Sequence, residues 1–315
     1  MWGAGPRLSL DDVAERSGLD RALISRAWRA SGFPDPDAAP DPRVFTERDV
    51  ELFGIVRAGI DYFGEEVTLQ IMRVLGSAAG RLADAAISAF MVNVVPSLAG
   101  RETPALALAQ ANMESLALLD GMTQGFDVVL RHYIERGFRP FVPGTSFPDV
   151  DLVRRSVGFA DLVDSTAWTQ QLELPALARA LSEFDAVSSE IVGRHDGRVV
   201  KLLGDEVMFV TADAADAAEI ALELVDVFAG HAVLPPVRAG VATGAVLARD
   251  GDFSGAVVNL AARAVKLAAP SSVLVDHETR AALADLDRFT FAAERGRSAK
   301  GFAAPVPLSR LSRRA

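Results

Sequence analysis

Apolar positions in the first half of the chain recur at three- and four-residue intervals, whereas in the second half short apolar runs alternate with helix-like stretches. Segments such as Val67 to Leu75 and Met113 to Leu119 carry one broad apolar face, which predicts amphipathic helices and a helical bundle over residues 1–138. The stretch Ala85 to Leu98 is the most apolar, but it contains Asn93 and Pro96 and falls short of the roughly 20 apolar residues that cross a bilayer. A core helix is expected there, with no membrane span. Arg139 to Pro148 then packs Pro140, Pro143, Gly144 and Pro148 into a stretch where helix cannot continue. A linker is placed at 139–155, leaving 156–315 as a second domain.

In that second domain, Ser156 to Asp161 reads as a short buried strand, followed by a turn and a helix from about Ala167. Gly197 to Val210 reads as two strand-like runs joined by a tight turn at Gly204-Asp205. The order strand, helix, hairpin, helix, strand from Ser156 to Thr243 predicts a ferredoxin-like α+β sheet with helices on one face. Further strands are expected near Val273 and Val306, and the opposite face is left for a site.

The first fifty residues have a finer pattern. Leu8 to Asp20 gives a capped short helix, a turn at Gly18 and the cap of a second helix, which is helix-turn-helix spacing. With Gly32-Phe33-Pro34 and Arg43 to Val50, this start resembles the winged-helix region of MerR-type transcription regulators. A helical hairpin used for packing explains the same residues. Acidic side chains are plentiful here and the whole chain carries a net charge of -10, so nucleic acid is not an expected partner. There is no cysteine, which excludes disulfides, thiolate metal sites and a cysteine nucleophile, and favours a cytoplasmic setting. Met1 to Arg7 lacks the basic flank and long apolar run of a signal peptide, so export is not expected.

Three segments carry candidate chemistry. Asp161 closes the first strand, and the following backbone N–H groups and helix start suit phosphate oxygens. Asp205 sits at the tip of the hairpin. If the hairpin lies beside the first strand, the two carboxylates meet and can hold two Mg²⁺ or Mn²⁺ ions on a triphosphate. In the third segment, Asp252 to Arg263, Asn259 and Arg263 stand four apart and share one helix face. Taken singly, each has an ordinary structural explanation: a strand-end acid, a hydrophilic turn, a helix-start residue, a solvated charge.

Together the three segments resemble the catalytic domain of class III adenylate cyclases, over about Ser156 to Leu311. The family pattern has a strand-end aspartate after Phe-Ala, a Lys-x-x-Gly-Asp hairpin and an aspartate seven residues before Asn-x-x-x-Arg. Phe159-Ala160-Asp161, Lys201 to Asp205 and Asp252 to Arg263 reproduce it in order. The resemblance implies conversion of ATP to 3′,5′-cyclic AMP and pyrophosphate with two divalent metal ions, Mg²⁺ or Mn²⁺, as cofactors. It makes Asp161 and Asp205 the metal ligands, Lys201 and Asp252 the pair that reads adenine, Asn259 the ribose-orienting group and Arg263 the group that meets charge on the α-phosphate. It also makes Arg238 and Lys300 triphosphate contacts, although surface charges account for both equally well. A homodimer is implied, with purine-reading and arginine elements from one protomer and metal ligands from its partner. One departure is Asp164, where the family usually has a small residue, often glycine.

A helical region ahead of such a domain resembles soluble actinobacterial cyclases whose N-terminal domain is autoinhibitory and pH-responsive. Regulation by the first half is therefore expected, with a small-molecule or lipid-like effector as the alternative signal. Of four histidines only His132 lies in the first half, so a histidine cluster is not the pH sensor there. Two other functional readings stay open: a cyclase-like domain that only binds nucleotide, and a DNA-binding regulator with a nucleotide-sensing second half.

Overall fold

The structure, a computed structural model, describes residues 6–98, 104–138, 152–293 and 307–314. It divides into two units, Met1–Ser146 and Phe147–Ala315. Among the described residues no helix is long and apolar enough to cross a membrane.

In the first unit, α1 (Leu10–Ser17) starts in a capping box: the Asp12 N–H donates to Ser9 Oγ at 3.2 Å and the Ser9 N–H donates to Asp12 Oδ2 at 2.7 Å. Asp20 caps α2 (Arg21–Ala30) by accepting from the Leu23 N–H at 2.9 Å. A 3₁₀ turn at Pro36–Ala38 and an antiparallel bridge between Leu8 and Phe45 lead to α3 (Glu47–Phe63). Val13, Ile24, Ala27, Phe45 and Phe53 form the sealed core of this unit, with Trp28 stacked on Phe33 at 4.2 Å. Each arginine of α2 faces a carboxylate: Arg21 faces Asp11 and Asp37, Arg26 faces Glu65, and Arg29 faces Asp35. The cationic charge of that helix is thus neutralised within the unit.

Beyond these, α4 (Glu65–Asn93), α5 (Val95–Leu98) and α6 (Pro104–Phe138) complete the unit. The apolar stretch Ala85 to Leu98 is not the core helix that its composition predicts. It is broken at Val94, ahead of Pro96, whose ring disfavours continued helix. Ile87, Met91 and Val92 are more than half exposed, while Phe90 and Val94 pack against Ala111 of α6.

The second unit is one mixed sheet. Its strands are β1 (Leu152–Leu162), β2 (Arg198–Leu202), β3 (Glu206–Thr211), β4 (Val237–Arg249), β5 (Asp252–Ser254), β6 (Val273–Val275), β7 (Phe289–Ala293) and β8 (Ser309–Arg313). They run in the order β2-β3-β1-β4-β6-β8-β7, with β5 paired on β4. The first four, with their helices, form the βαββαβ pattern that the sequence predicts. Val306 lies outside the described residues, and the strands beyond that pattern are β5, β6, β7 and β8.

Alternation along the strands sorts side chains onto two faces. Ala160, Leu162, Val207, Phe209, Val237 and Ala239 meet α8 (Leu174–Arg194), α9 (Ala214–Phe228) and α11 (His277–Leu283). Phe184 and Phe228 anchor this layer with ring centroids 5.4 Å apart, each ring contributing about 2–3 kcal/mol by leaving water. The opposite face is not free of helix, as the sequence reading expects. Val157, Phe159, Met208, Ala242 and Val246 are covered by Ala261 and Val265 of α10 (Ala256–Leu267).

Gly240 permits that docking. A Cβ there would lie 2.3 Å from Val265 N and 2.8 Å from Ala261 O, both backbone atoms that cannot turn aside. Gly240→Ala should therefore destabilise the unit by about 1–3 kcal/mol through overpacking, read as a lowered melting temperature of the full chain. An unchanged melt would mean that α10 is not held against β4 in this way.

Candidate active site

Asp161 is the penultimate residue of β1 and points to the α10 face. The residue is only 2% exposed, and a charge so placed requires partners. Arg238, opposite it on β4, donates to Asp161 Oδ2 from Nε at 3.0 Å and from Nη2 at 2.6 Å. Lys266, in the last turn of α10, donates to Asp161 Oδ1 at 3.0 Å and lies 2.7 Å from Glu206 Oε2. Burial works against the Lys266 charge, but the adjacent Glu206 and Asp161 carboxylates outweigh it and hold its pKa above the ordinary lysine value.

Asp205 precedes β3 at the tight turn, with Gly204 at φ 75°. β1 and β3 pair so that Asp161 stands opposite Glu206, and the Leu162 N–H donates to the Asp205 carbonyl at 3.0 Å. The backbones of the two aspartates are therefore neighbours. The Asp205 carboxylate accepts a short hydrogen bond from the Ser165 hydroxyl at the start of α7 (Ser165–Thr169). Asp164, just ahead, adopts the left-handed conformation at φ 53°, and its side chain is exposed and makes no capping bond. This turn demands a positive φ, which glycine meets without strain and aspartate tolerates better than most residues. The departure at position 164 thus keeps the backbone path and adds an exposed negative charge at the turn beside Asp205.

A second grouping forms around Lys201, on the β2 strand of the same hairpin. Val199 stands opposite Phe209 and Lys201 opposite Met208, so one extra residue in β2 makes a β-bulge. The bulge turns Lys201 to the face that Met208 shares with α10; regular pairing would set it opposite Val207, which faces α8 and α9. Lys201 Nζ lies 2.5 Å from Asp252 Oδ2. Asp252 begins β5 after the two-residue turn Asp250-Gly251, both at positive φ, the conformation of a type I′ hairpin. Arg198 of β2 braces that hairpin, stacking over the Phe253 ring at 5.2 Å and donating to the Gly251 carbonyl at 3.4 Å.

Asn259, Arg263 and Lys266 stand at i, i+4 and i+7 on α10 and share one stripe. Asn259 is exposed and Arg263 half-buried. Lys300 lies outside the described residues. The structure thus joins the predicted residues in two groups, Asp161 with Arg238 beside the Asp205 turn, and Lys201 with Asp252. Residues 151–303 match the adenylate and guanylate cyclase catalytic domain. An adenylate cyclase of Streptomyces coelicolor is 36% identical over 282 residues, spanning 88% of this chain and 71% of that protein.

The chain belongs to the class III cyclase family.

Among other members, a pH-sensitive adenylate cyclase of Mycobacterium tuberculosis is 29% identical, over 98% of this chain and 79% of its own length. The adenylyl cyclase CyaB of P. aeruginosa overlays 52% of this chain and 96% of its own, at 23% identity and a TM-score of 0.46. Within this cyclase, sequence reasoning passes over Glu206, Lys266, Ser165 and Arg198. The signal for Lys266 was available, three residues beyond Arg263 on the same face. Glu206 is one step from Asp205, but only the β1–β3 register puts it opposite Asp161.

Proposed function

We propose that the chain is an adenylate cyclase that closes ATP to 3′,5′-cyclic AMP with release of pyrophosphate, using two divalent ions at sites shared between the protomers of a homodimer. The observation that carries the reading is the buried Asp161 carboxylate at the strand end, its backbone abutting that of Asp205.

The donor set suits Mg²⁺ or Mn²⁺. Among the described residues no group of three or more acidic or histidine side chains forms a complete metal cage. A hard cation bound by one or two carboxylates and substrate phosphates needs oxygen donors such as those of Asp161 and Asp205. Asp161 and Asp205 would hold the ions, which when bound lower the pKa of the ribose 3′-hydroxyl and neutralise the triphosphate. Arg238 would stay beside Asp161 and reach the phosphates. From the partner protomer, Lys201 as donor and Asp252 as acceptor complement the ring nitrogen and amino group of adenine, whereas guanine offers the reverse pattern. Asn259 orients the ribose, and Arg263 meets the charge that grows on the α-phosphate as the 3′-oxygen bonds to phosphorus and the bridging oxygen departs. Lys300 is the remaining proposed triphosphate contact.

The full chain, given ATP and Mn²⁺, is expected to form cyclic AMP with a higher kcat/KM than it shows for GTP; absence of any cyclic nucleotide would overturn the reading. Asp164→Gly should lower the KM for ATP several-fold by removing a negative charge near the phosphates. Its melting temperature should move little, since relief of about 1 kcal/mol of left-handed strain is offset by the added freedom of unfolded glycine, about 0.5–1 kcal/mol. A raised KM would contradict this placement of the phosphates.

The first unit is proposed to restrain the second in a pH-dependent way. The support is a relative described as pH-sensitive that aligns over nearly the whole chain. His132 is exposed and 3.8 Å from Glu135, an ordinary surface pair. Activity profiles of the full chain and of residues 147–315 across pH should differ, and superimposable profiles would remove the regulatory role.

A further inference from the structure

Lys266 has no part in the adenylate cyclase chemistry set out above, yet it holds the most buried carboxylate of the site. Arg238 directs two hydrogen bonds to one oxygen of Asp161, Oδ2, and a third to the Lys266 carbonyl at 3.4 Å, and among the described residues Lys266 is the ion-pair partner of Oδ1. The same ammonium also lies 2.7 Å from Glu206 Oε2, on the neighbouring strand. The Lys266 ammonium thus sits between two carboxylate oxygens, one from β1 and one from β3, the donor type that a hard divalent ion also selects. The two cations of Asp161 differ in how firmly they are held. The Arg238 side chain is 24% exposed, whereas that of Lys266 is 54% exposed and ends a four-carbon stem.

We propose that Lys266 is a resident counter-ion of the carboxylates that would bind metal, held in cis on oxygens that a divalent cation would need, so that loading requires its ammonium to leave Asp161 and Glu206. This inference rests on the reading of Asp161 as a metal ligand. The exchange needs no strand to move: Arg238 keeps Oδ2, Lys266 releases Oδ1, and the freed stem swings into solvent. If Lys266 stayed, an ammonium and a divalent ion would share one oxygen and repel each other. If it leaves, its two charge-assisted contacts are lost. Both routes weaken metal binding, and in the absence of metal the pair keeps a nearly sealed carboxylate neutralised. Lys266 therefore acts as a positioning residue that sets a threshold of cation concentration for activity.

The test is Mn²⁺ binding to the full chain without nucleotide, followed by the electron paramagnetic resonance signal of free Mn²⁺, so that turnover plays no part. Lys266→Met is expected to bind Mn²⁺ about tenfold more tightly than the wild type, the size left by a charge-assisted contact after discounting for its exposure. Lys266→Gln, which keeps a polar side chain on the exposed helix surface, should tighten binding in the same direction. Lys266→Arg should bind like the wild type, and Asp161→Asn should lose the site. Wild-type affinity in both Lys266→Met and Lys266→Gln, with binding lost in Asp161→Asn, overturns the counter-ion role alone. Undiminished binding in Asp161→Asn overturns the metal assignment and this inference together.

Discussion

Asp161→Asn is expected to lower kcat for cyclic AMP formation by about 10³ or more, the largest effect of any single substitution in the site. The amide matches the carboxylate in shape but carries no charge, so a hard cation loses its strongest protein ligand. Arg238 and Lys266 then face an uncharged group, with Glu206 left as the neighbouring acid for Lys266. Removing one partner of a buried ion pair costs about 3–5 kcal/mol. The partial exposure of both cations reduces this to roughly 2 kcal/mol here. The fold should survive, so the measurement pairs kcat in saturating Mn²⁺ and ATP with a thermal melt. Near-normal turnover by a folded variant would remove Asp161 from the chemistry.

Arg263→Ala is the second large effect, with an expected loss of about 10²–10³ in kcat and little change in KM. That split follows from its role. A guanidinium that meets charge only as the 3′-oxygen closes on phosphorus contributes to the transition state and hardly to ground-state binding. Arg263→Lys should recover only part of the rate, because an ammonium cannot offer the planar fork. Steady-state kinetics with ATP and Mn²⁺ decides the matter. A variant that loses affinity while keeping kcat would turn Arg263 into an ordinary phosphate contact.

The α+β class and the βαββαβ order of the second unit are legible, because short apolar runs such as Val157 to Leu162 read as buried strands while α8 and α9 keep a helical period. The turn at Gly204-Asp205 was equally legible from its residue types. Other features depend on pairing, which a linear pattern does not contain. The bulge that turns Lys201 toward Asp252 is a register shift between β2 and β3. The link from Lys266 to Asp161 joins residues 105 apart in sequence. Asp164 could be flagged as unusual, but its exposed left-handed turn, which explains why aspartate is tolerated, became visible only in three dimensions. For the stretch Ala85 to Leu98, apolar composition does not translate into burial: the helix breaks ahead of Pro96, and Ile87, Met91 and Val92 are exposed.

The central claim is that each site is assembled from two chains, with Asp161 and Asp205 on one and Lys201, Asp252, Asn259 and Arg263 on the other. Co-expression of Asp161→Asn and Arg263→Ala chains bearing different tags, followed by purification through both tags, isolates the mixed species. In a twofold dimer that species has one site with both defects and one with neither, so about half of wild-type activity should return from two nearly inactive parents. Mixed species as inactive as the parents, or no species carrying both tags, would contradict the shared site.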